Sequence, residues 1–235
     1  MISPEALLFA LFGGILPALL WLIFWLREDR LHPEPRRFIL YVFLTGMLAV
    51  PIVLPLEEIT QRYVAGNLMF VIWAFIEEGM KLGAAYVVVL RRREVDEPID
   101  AVMYMITAAL GFAALENTLF LLDPLAHGNI LVGIINGNLR FLGATLLHVL
   151  SSGTVGLFIA LSFYRNARLR HRALFIGLIL AVFLHALFNF FILYNADGKV
   201  LIVFAGVWVG IILLLLFFEK IKQIKRPQFI YLRKK

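Results

Sequence analysis

The chain has 235 residues, 62% of them apolar and 16% charged, with a formal net charge of +6 and no cysteine. An ordinary soluble domain is about 45–50% apolar and about 25% charged, so this composition excludes a soluble globular domain and a disordered chain. It indicates an integral membrane protein without disulfide, thiolate metal site, cysteine nucleophile or palmitoylation.

Seven stretches are long and apolar enough to span a bilayer, near residues 5–26, 38–56, 68–90, 99–122, 139–164, 172–194 and 199–219. Their runs of Leu, Ile, Val and Phe lack period-two alternation, which predicts an all-α polytopic bundle and not a barrel. The first stretch has no basic residue ahead of it, so it is expected to be a retained span, not a cleaved signal. Charge and turn signals separate the stretches: Arg27-Glu28-Asp29-Arg30, His32-Pro33-Glu34-Pro35, Asp123-Pro124 and Ala196-Asp197-Gly198. With no internal repeat and no second core, residues 1–235 read as one membrane-embedded domain. Eighteen of the 22 Lys and Arg residues fall in the first, third and fifth loops and a basic tail at 220–235. Only Arg62 and Lys199 lie on the alternate side. The positive-inside rule then puts the N-terminus outside and the C-terminus in the cytoplasm. The basic residues read as topology and lipid-headgroup contacts, which argues against nucleic acid as a partner.

An ionisable side chain at the bilayer centre costs about 2.5–3.5 kcal/mol or more, so each one is a functional-site hypothesis. Glu77, Glu78 and Lys81 lie in the third stretch, Glu116 and Asn117 in the fourth, His148 in the fifth, and His185 and Asn189 in the sixth. Given the topology, Glu77, Glu116, His148 and His185 all fall roughly 9–14 Å below the outer boundary at the helical rise. Four helices thus deliver acids and imidazoles to one layer. Glu77 and Lys81 share a face at i,i+4, as do His185 and Asn189, while Glu78 and Lys81 meet at i,i+3. Gly79, Gly83, Gly111, Gly137, Gly143, Gly153 and Gly156 are expected to let the helices approach closely.

Carboxylates and imidazoles so placed can bind and deprotonate a water, with an amide or imidazole donating to the oxyanion. Glu and two His are also the ligand set of a hydrolytic zinc site. Ser151 and Ser152 follow His148, but no Asp lies at that depth to complete a serine triad. Lys81 reads as charge balance. Arg140 reads as a snorkelling anchor near the outer mouth. His32, His127 and His171 read as loop residues, and Trp21, Trp25, Trp73 and Trp208 as packing or interfacial residues. Each of these intramembrane groups also has a plainer structural reading, as a neutralised ion cluster, an interhelical polar clamp or a packing histidine.

Glu77-Glu78-Gly79-Met80-Lys81, Phe112-Ala113-Ala114-Leu115-Glu116-Asn117, the lone His148 and His185-Ala186-Leu187-Phe188-Asn189 stand in order on four successive spans, over about residues 68–194. Together they resemble the PrsW family of intramembrane proteases and, through it, the CAAX-protease and bacteriocin-processing superfamily. The resemblance implies a multi-pass protease of the bacterial cytoplasmic membrane. Its substrate would be a single-span membrane protein, an anti-sigma factor in the family's case, cut on the extracytoplasmic side. By analogy Glu77 or Glu78 would activate water, Glu116 would help hold that water or a metal, His148 and His185 would complete the site, and Asn189 would support the oxyanion. The cofactor stays open: either none, with glutamate-activated water as the preferred chemistry, or a divalent metal such as zinc held from among Glu77, Glu116, His148 and His185. Glu57-Glu58-Ile59-Thr60-Gln61-Arg62 spells the first CAAX-protease motif by letter but falls at the outer end of the second stretch, and it reads as an interfacial decoy. The competing functions are a proton-coupled transporter, a b-type cytochrome with His148 and His185 as axial ligands, and a catalytically inactive membrane scaffold.

Overall fold

The structure is a computed structural model that describes residues 3–29, 33–194 and 200–225, apart from the side chains at 130, 136, 193 and 194. Arg30, His32, Asp197, Gly198, Lys199, the side chain of Asn136 and the tail residues Arg226, Arg233, Lys234 and Lys235 lie outside the described residues. The described chain is helical: α1 (Pro4–Glu28), α2 (Arg36–Tyr63), α3 (Asn67–Ala85), α4 (Pro98–Ala126), α5 (Ile130–Leu139), α6 (Thr145–Leu161), α7 (Ala167–Tyr194) and α8 (Val200–Ile221). A π-helical turn at Tyr86–Leu90 extends α3, and another at Arg140–Ala144 joins α5 to α6 in one rod. Among the described residues six helical segments are long and apolar enough to cross a membrane. The third expected span, α3, has 19 residues but carries Glu77, Glu78 and Lys81 within them.

Two boundaries differ from the sequence expectation. α2 runs through Pro51 and Pro55 to Tyr63 instead of stopping near 56. Proline is tolerated in a membrane helix because neighbouring groups re-satisfy the freed carbonyls. α5 begins at Ile130, nine residues before the expected start of the fifth span, so the Asn- and Gly-containing segment is helical. Gly128, at φ 74°, supplies the left-handed turn after α4 that lets the next helix begin at once.

α4 is the axis of the bundle. Apolar all round, it buries every residue from Pro98 to Ala114 and packs chiefly against α1, α2 and α6. Glu97 and Asp100 cap its N-terminus reciprocally, and Pro98 opens its first turn. Small residues set the spacing. α1 presents Ala6, Ala10, Gly14 and Ala18 at four-residue intervals, and a Cβ on Gly14 would strike Thr118 and Ala114 of α4. Gly46 of α2 faces the Ala108 carbonyl and Gly111 of α4 faces the Phe43 carbonyl. Gly143, Gly153 and Gly156 are close-approach positions as expected, whereas Gly79 and Gly83 border open space and Gly137 makes only ordinary contact.

At the end of the bundle where α4 begins, a polar group is buried between α4 and the loop before α2. The Tyr104 hydroxyl donates to Glu34, in the loop before α2, and the Asp100 carboxylate accepts from the backbone N–H of Asp96 and Glu97 at 2.9 Å each. Burial pushes the Glu34 carboxyl up to about 9; Tyr104 opposes the rise, and Asp100 and Asp29 add to it.

Two predictions follow from this packing. Gly111→Ala drives a methyl into the α2 backbone and lowers stability by about 1–3 kcal/mol. Gly83→Ala, with nothing near the new carbon, leaves thermal unfolding in detergent unchanged or slightly improved. Folded Glu34 keeps its proton up to pH about 9, whereas the unfolded chain releases it near 4.5. Its contribution is therefore full below about pH 4.5 and is lost as the pH rises through about 9. Glu34→Gln is expected to flatten that fall between pH 5 and 9; an unchanged slope would remove Glu34 as its source.

Candidate active site

Four helices bring the intramembrane ionisable residues together. Glu77, Glu78 and Lys81 project from α3, Glu116 from α4, His148 from α6 and His185 from α7. Glu78, Lys81, His148 and His185 are buried, as is Glu77. Lys81 Nζ lies 2.7 Å from Glu78 Oε1, 2.9 Å from His148 Nδ1 and 3.2 Å from Glu77 Oε2. It also sits 4.5 Å from the centre of the Phe112 ring, a cation–π contact. Lys81 thus stands between two carboxylates and one imidazole nitrogen.

The two glutamates of the pair are held differently. Glu78 accepts from Lys81, from His185 Nδ1 at 2.9 Å and from the Ser152 hydroxyl at 2.7 Å. Glu77 Oε2 is buried with no hydrogen bond directed at it. Its polar neighbours include His185 Nε2, 3.6 Å from Oε1, and His148 Nδ1, 3.8 Å from Oε2. The far nitrogen of each imidazole is engaged: His185 Nδ1 with Glu78, and His148 Nε2 with Glu116 Oε2 at 3.0 Å. With these bonds donated by the imidazoles, His185 Nε2 keeps a lone pair 3.6 Å from Glu77, while the His148 Nδ1 lone pair accepts from Lys81. Glu77, His148 and His185 place one ligand atom each within 4.8 Å of one another.

The border of the site on the Glu116 side is built by α4 and the π turn. Arg140, which opens that turn, donates to Glu116 Oε2 and Asn117 Oδ1 at 2.5 Å each and stacks 3.9 Å from the Phe120 ring. Asn117 Nδ2 donates in turn to Thr145 Oγ1 at 2.9 Å. Arg140 is thus no snorkelling anchor: it turns inward and neutralises Glu116. A π turn widens the helix locally and redirects its side chains, which no helical spacing reveals. Asn189 is half-buried, one turn past His185, and takes part in none of these bonds.

The largest departure concerns Glu57. The expected decoy splits in two. Glu58 is exposed and pairs with Arg62 at 2.5 Å, as an interfacial residue does. Glu57 is half-buried, on the face of α2 that carries Val50 and Val53, and its backbone carbonyl accepts from Trp73 Nε1 at 3.1 Å. The legible signal was the buried face of α2, where Gly46, Val50 and Val53 lead to residue 57 and Thr60 at helical spacing.

A family profile for the PrsW family intramembrane metalloprotease matches residues 34–217. The chain belongs to the PrsW family. Curated relatives named Protease PrsW agree. The protein of Geobacillus kaustophilus is 28% identical over 222 residues, covering 92% of this chain and 91% of its own. That of Clostridioides difficile is 26% identical over 189 residues, 77% of either chain. That of Bacillus subtilis is 26% identical over 182 residues, 76% of this chain and 80% of its own. No solved structure matches. As a PrsW protein the chain is a multi-pass intramembrane protease of a bacterial membrane, with membrane proteins as substrates.

The two serines after His148 separate the roles within this PrsW site. Ser152→Ala removes a hydrogen bond to a buried carboxylate and should lower stability by about 1.5–3 kcal/mol. Ser151, whose buried hydroxyl has no partner, should tolerate alanine without loss. Thermal unfolding of both variants in one detergent checks the contrast.

Proposed function

We propose that this protease cuts a single-span membrane protein, of the anti-sigma-factor kind by family resemblance, near the extracytoplasmic face, with Glu77 as the residue that activates water. The observation that carries the reading is an unsatisfied buried Glu77 oxygen grouped with one nitrogen of each of two imidazoles. The outer position follows from the charge asymmetry of the loops. Glu77 sits ten residues into α3 from the end near Tyr63, about 15 Å along the axis.

In this reading Glu78 is the anchor. It holds Lys81, Ser152 and His185 in place and is committed to those three hydrogen bonds. Glu77 orients the attacking water and takes one of its protons. The water oxygen bonds to the scissile carbonyl carbon, and that proton goes to the leaving nitrogen as the C–N bond breaks. Lys81 keeps a positive charge beside the carbonyl oxygen as it becomes negative. Arg140 and Asn117 fix Glu116, which in turn holds the His148 ring.

The donor set also fits a divalent ion of the zinc type, as the family description implies. Glu77, His148 Nδ1 and His185 Nε2 would hold it, and Glu78 and Glu116 would steady the two imidazoles from behind. Such an ion lowers the pKa of a water and polarises a carbonyl. Binding there requires Lys81 to release His148 Nδ1 while keeping Glu78.

Cleavage of a single-span substrate in proteoliposomes tests the reading. Glu77→Gln should lose about 10²–10⁴-fold in rate. A chelator should abolish cleavage and zinc should restore it. Wild-type turnover by Glu77→Gln would remove Glu77 from the chemistry, and chelator-resistant turnover would return the mechanism to glutamate alone.

A further inference from the structure

An ammonium group has three N–H donors and no acceptor. Lys81 spends two of them, on Glu78 Oε1 at 2.7 Å and on His148 Nδ1 at 2.9 Å. The third is contested. Glu77 Oε2 lies 3.2 Å from Nζ, yet no hydrogen bond is directed at it. The centre of the Phe112 ring lies 4.5 Å from Nζ, inside the range of about 6 Å over which an aromatic face attracts a cation.

Phe112 is fixed in that place. It is buried on α4, one turn before Glu116, in a cluster with Ala49, Val50 and Val53 of α2. Its ring also lies beside the His148 ring, with centres 5.4 Å apart. A ring packed between α2 and two groups of the site does not follow the ammonium when that group turns. Its pull therefore has a fixed direction, and it is strongest where water is excluded. The ring does not have to outweigh a carboxylate. It has only to keep the third N–H from aligning with Glu77.

We infer that Phe112 is a positioning residue for the proteolytic site: its ring face draws the third N–H of Lys81 and so leaves a Glu77 oxygen open. The inference rests on the reading of Glu77 given above. It assigns Phe112 no contact with substrate. Without the ring the ammonium turns onto Glu77, and a carboxylate tied to that donor is no longer free to orient water or hold a cation.

Purified full-length protein in proteoliposomes provides the test. Phe112 is replaced by mono-, di- and trifluorophenylalanine, which keep the shape of the ring and progressively drain its face of negative charge. Phe112→Leu, which removes the face, and Glu77→Gln are run beside them. Two quantities are read: kcat and KM for a single-span substrate, and zinc affinity by competition with a chromophoric chelator. The thermal midpoint of each variant is recorded as a check of folding. Phe112→Leu should lose about tenfold in kcat and in zinc affinity, with KM little changed. The fluorinated series should fall stepwise toward that value at a constant thermal midpoint. Trifluorophenylalanine at Phe43, a buried ring of the main core, should leave both quantities at wild type. Equal values across the series at Phe112 would overturn the inference even if Phe112→Leu were impaired, since packing alone does not depend on the charge of a ring face. So would wild-type kcat and zinc affinity in Phe112→Leu. Full activity in Glu77→Gln would instead sink the site reading beneath it, and the two failures are distinguishable.

Discussion

One ammonium group holds the centre of this protein together. Lys81 Nζ has no exposure and is shared among Glu78, His148 and Glu77, with the Phe112 ring below it. A charge in hydrocarbon is costly alone and tolerable only when neutralised and hydrogen-bonded. α3, with three charges in 19 residues, therefore cannot present itself to lipid on all sides. It is packed by α2, α4, α6 and α7, and those are the elements that bring Glu57, Glu116, His148 and His185 to it. Neutralising the charges of α3 and assembling the site are thus one structural event.

The same economy explains why two adjacent glutamates are useful. Residues 77 and 78 point in different directions, so one can be consumed by structure while the other stays open. Glu78 saturates its oxygens with Lys81, His185 and Ser152. Its bond to His185 Nδ1 turns the Nε2 lone pair toward Glu77. Glu116 orients His148 from the other side, and Arg140 offsets the charge that this costs. Each reactive atom is aimed by a residue that gives up its own reactivity.

The helical spacing of the motifs made most of this legible. Pairs at i,i+3 and i,i+4 must share a face, and ionisable groups at one depth on four spans must meet if the spans pack. The bundle, the Glu77–Glu78–Lys81 cluster and the two imidazoles follow from that. Glu57 and Arg140 did not follow, for two different reasons. Glu57 lies beyond Pro51 and Pro55 and opens a charged pair, all of which look like the end of a helix, yet α2 continues to Tyr63. Arg140 lies where a π turn breaks the regular spacing, so its inward direction is invisible to any period. Asn189 is a different case: it makes none of the bonds described at the site. Its spacing from His185 is right, but sharing a face does not guarantee a partner. The Gly83 position makes a similar point, since a small residue marks close approach only where another helix arrives.

Formal charge brings these observations to one question. Glu77, Glu78 and Glu116 carry three negative charges, and Lys81 and Arg140 return two positive ones. The site is one charge short of neutral before Glu57 is counted, and two short if Glu57 is ionised as well. A low-dielectric interior does not hold such an excess without a counter-charge. On the proposed reading a divalent cation among Glu77, His148 and His185 would supply it. That place lies beside Glu77, the one carboxylate of the three whose buried oxygen no directed hydrogen bond secures. The charge deficit and the unsatisfied oxygen therefore lie on the same residue. A cation arriving there would relieve both at once, which is a stronger physical reason to look for a metal at Glu77 than the kind of ligands present.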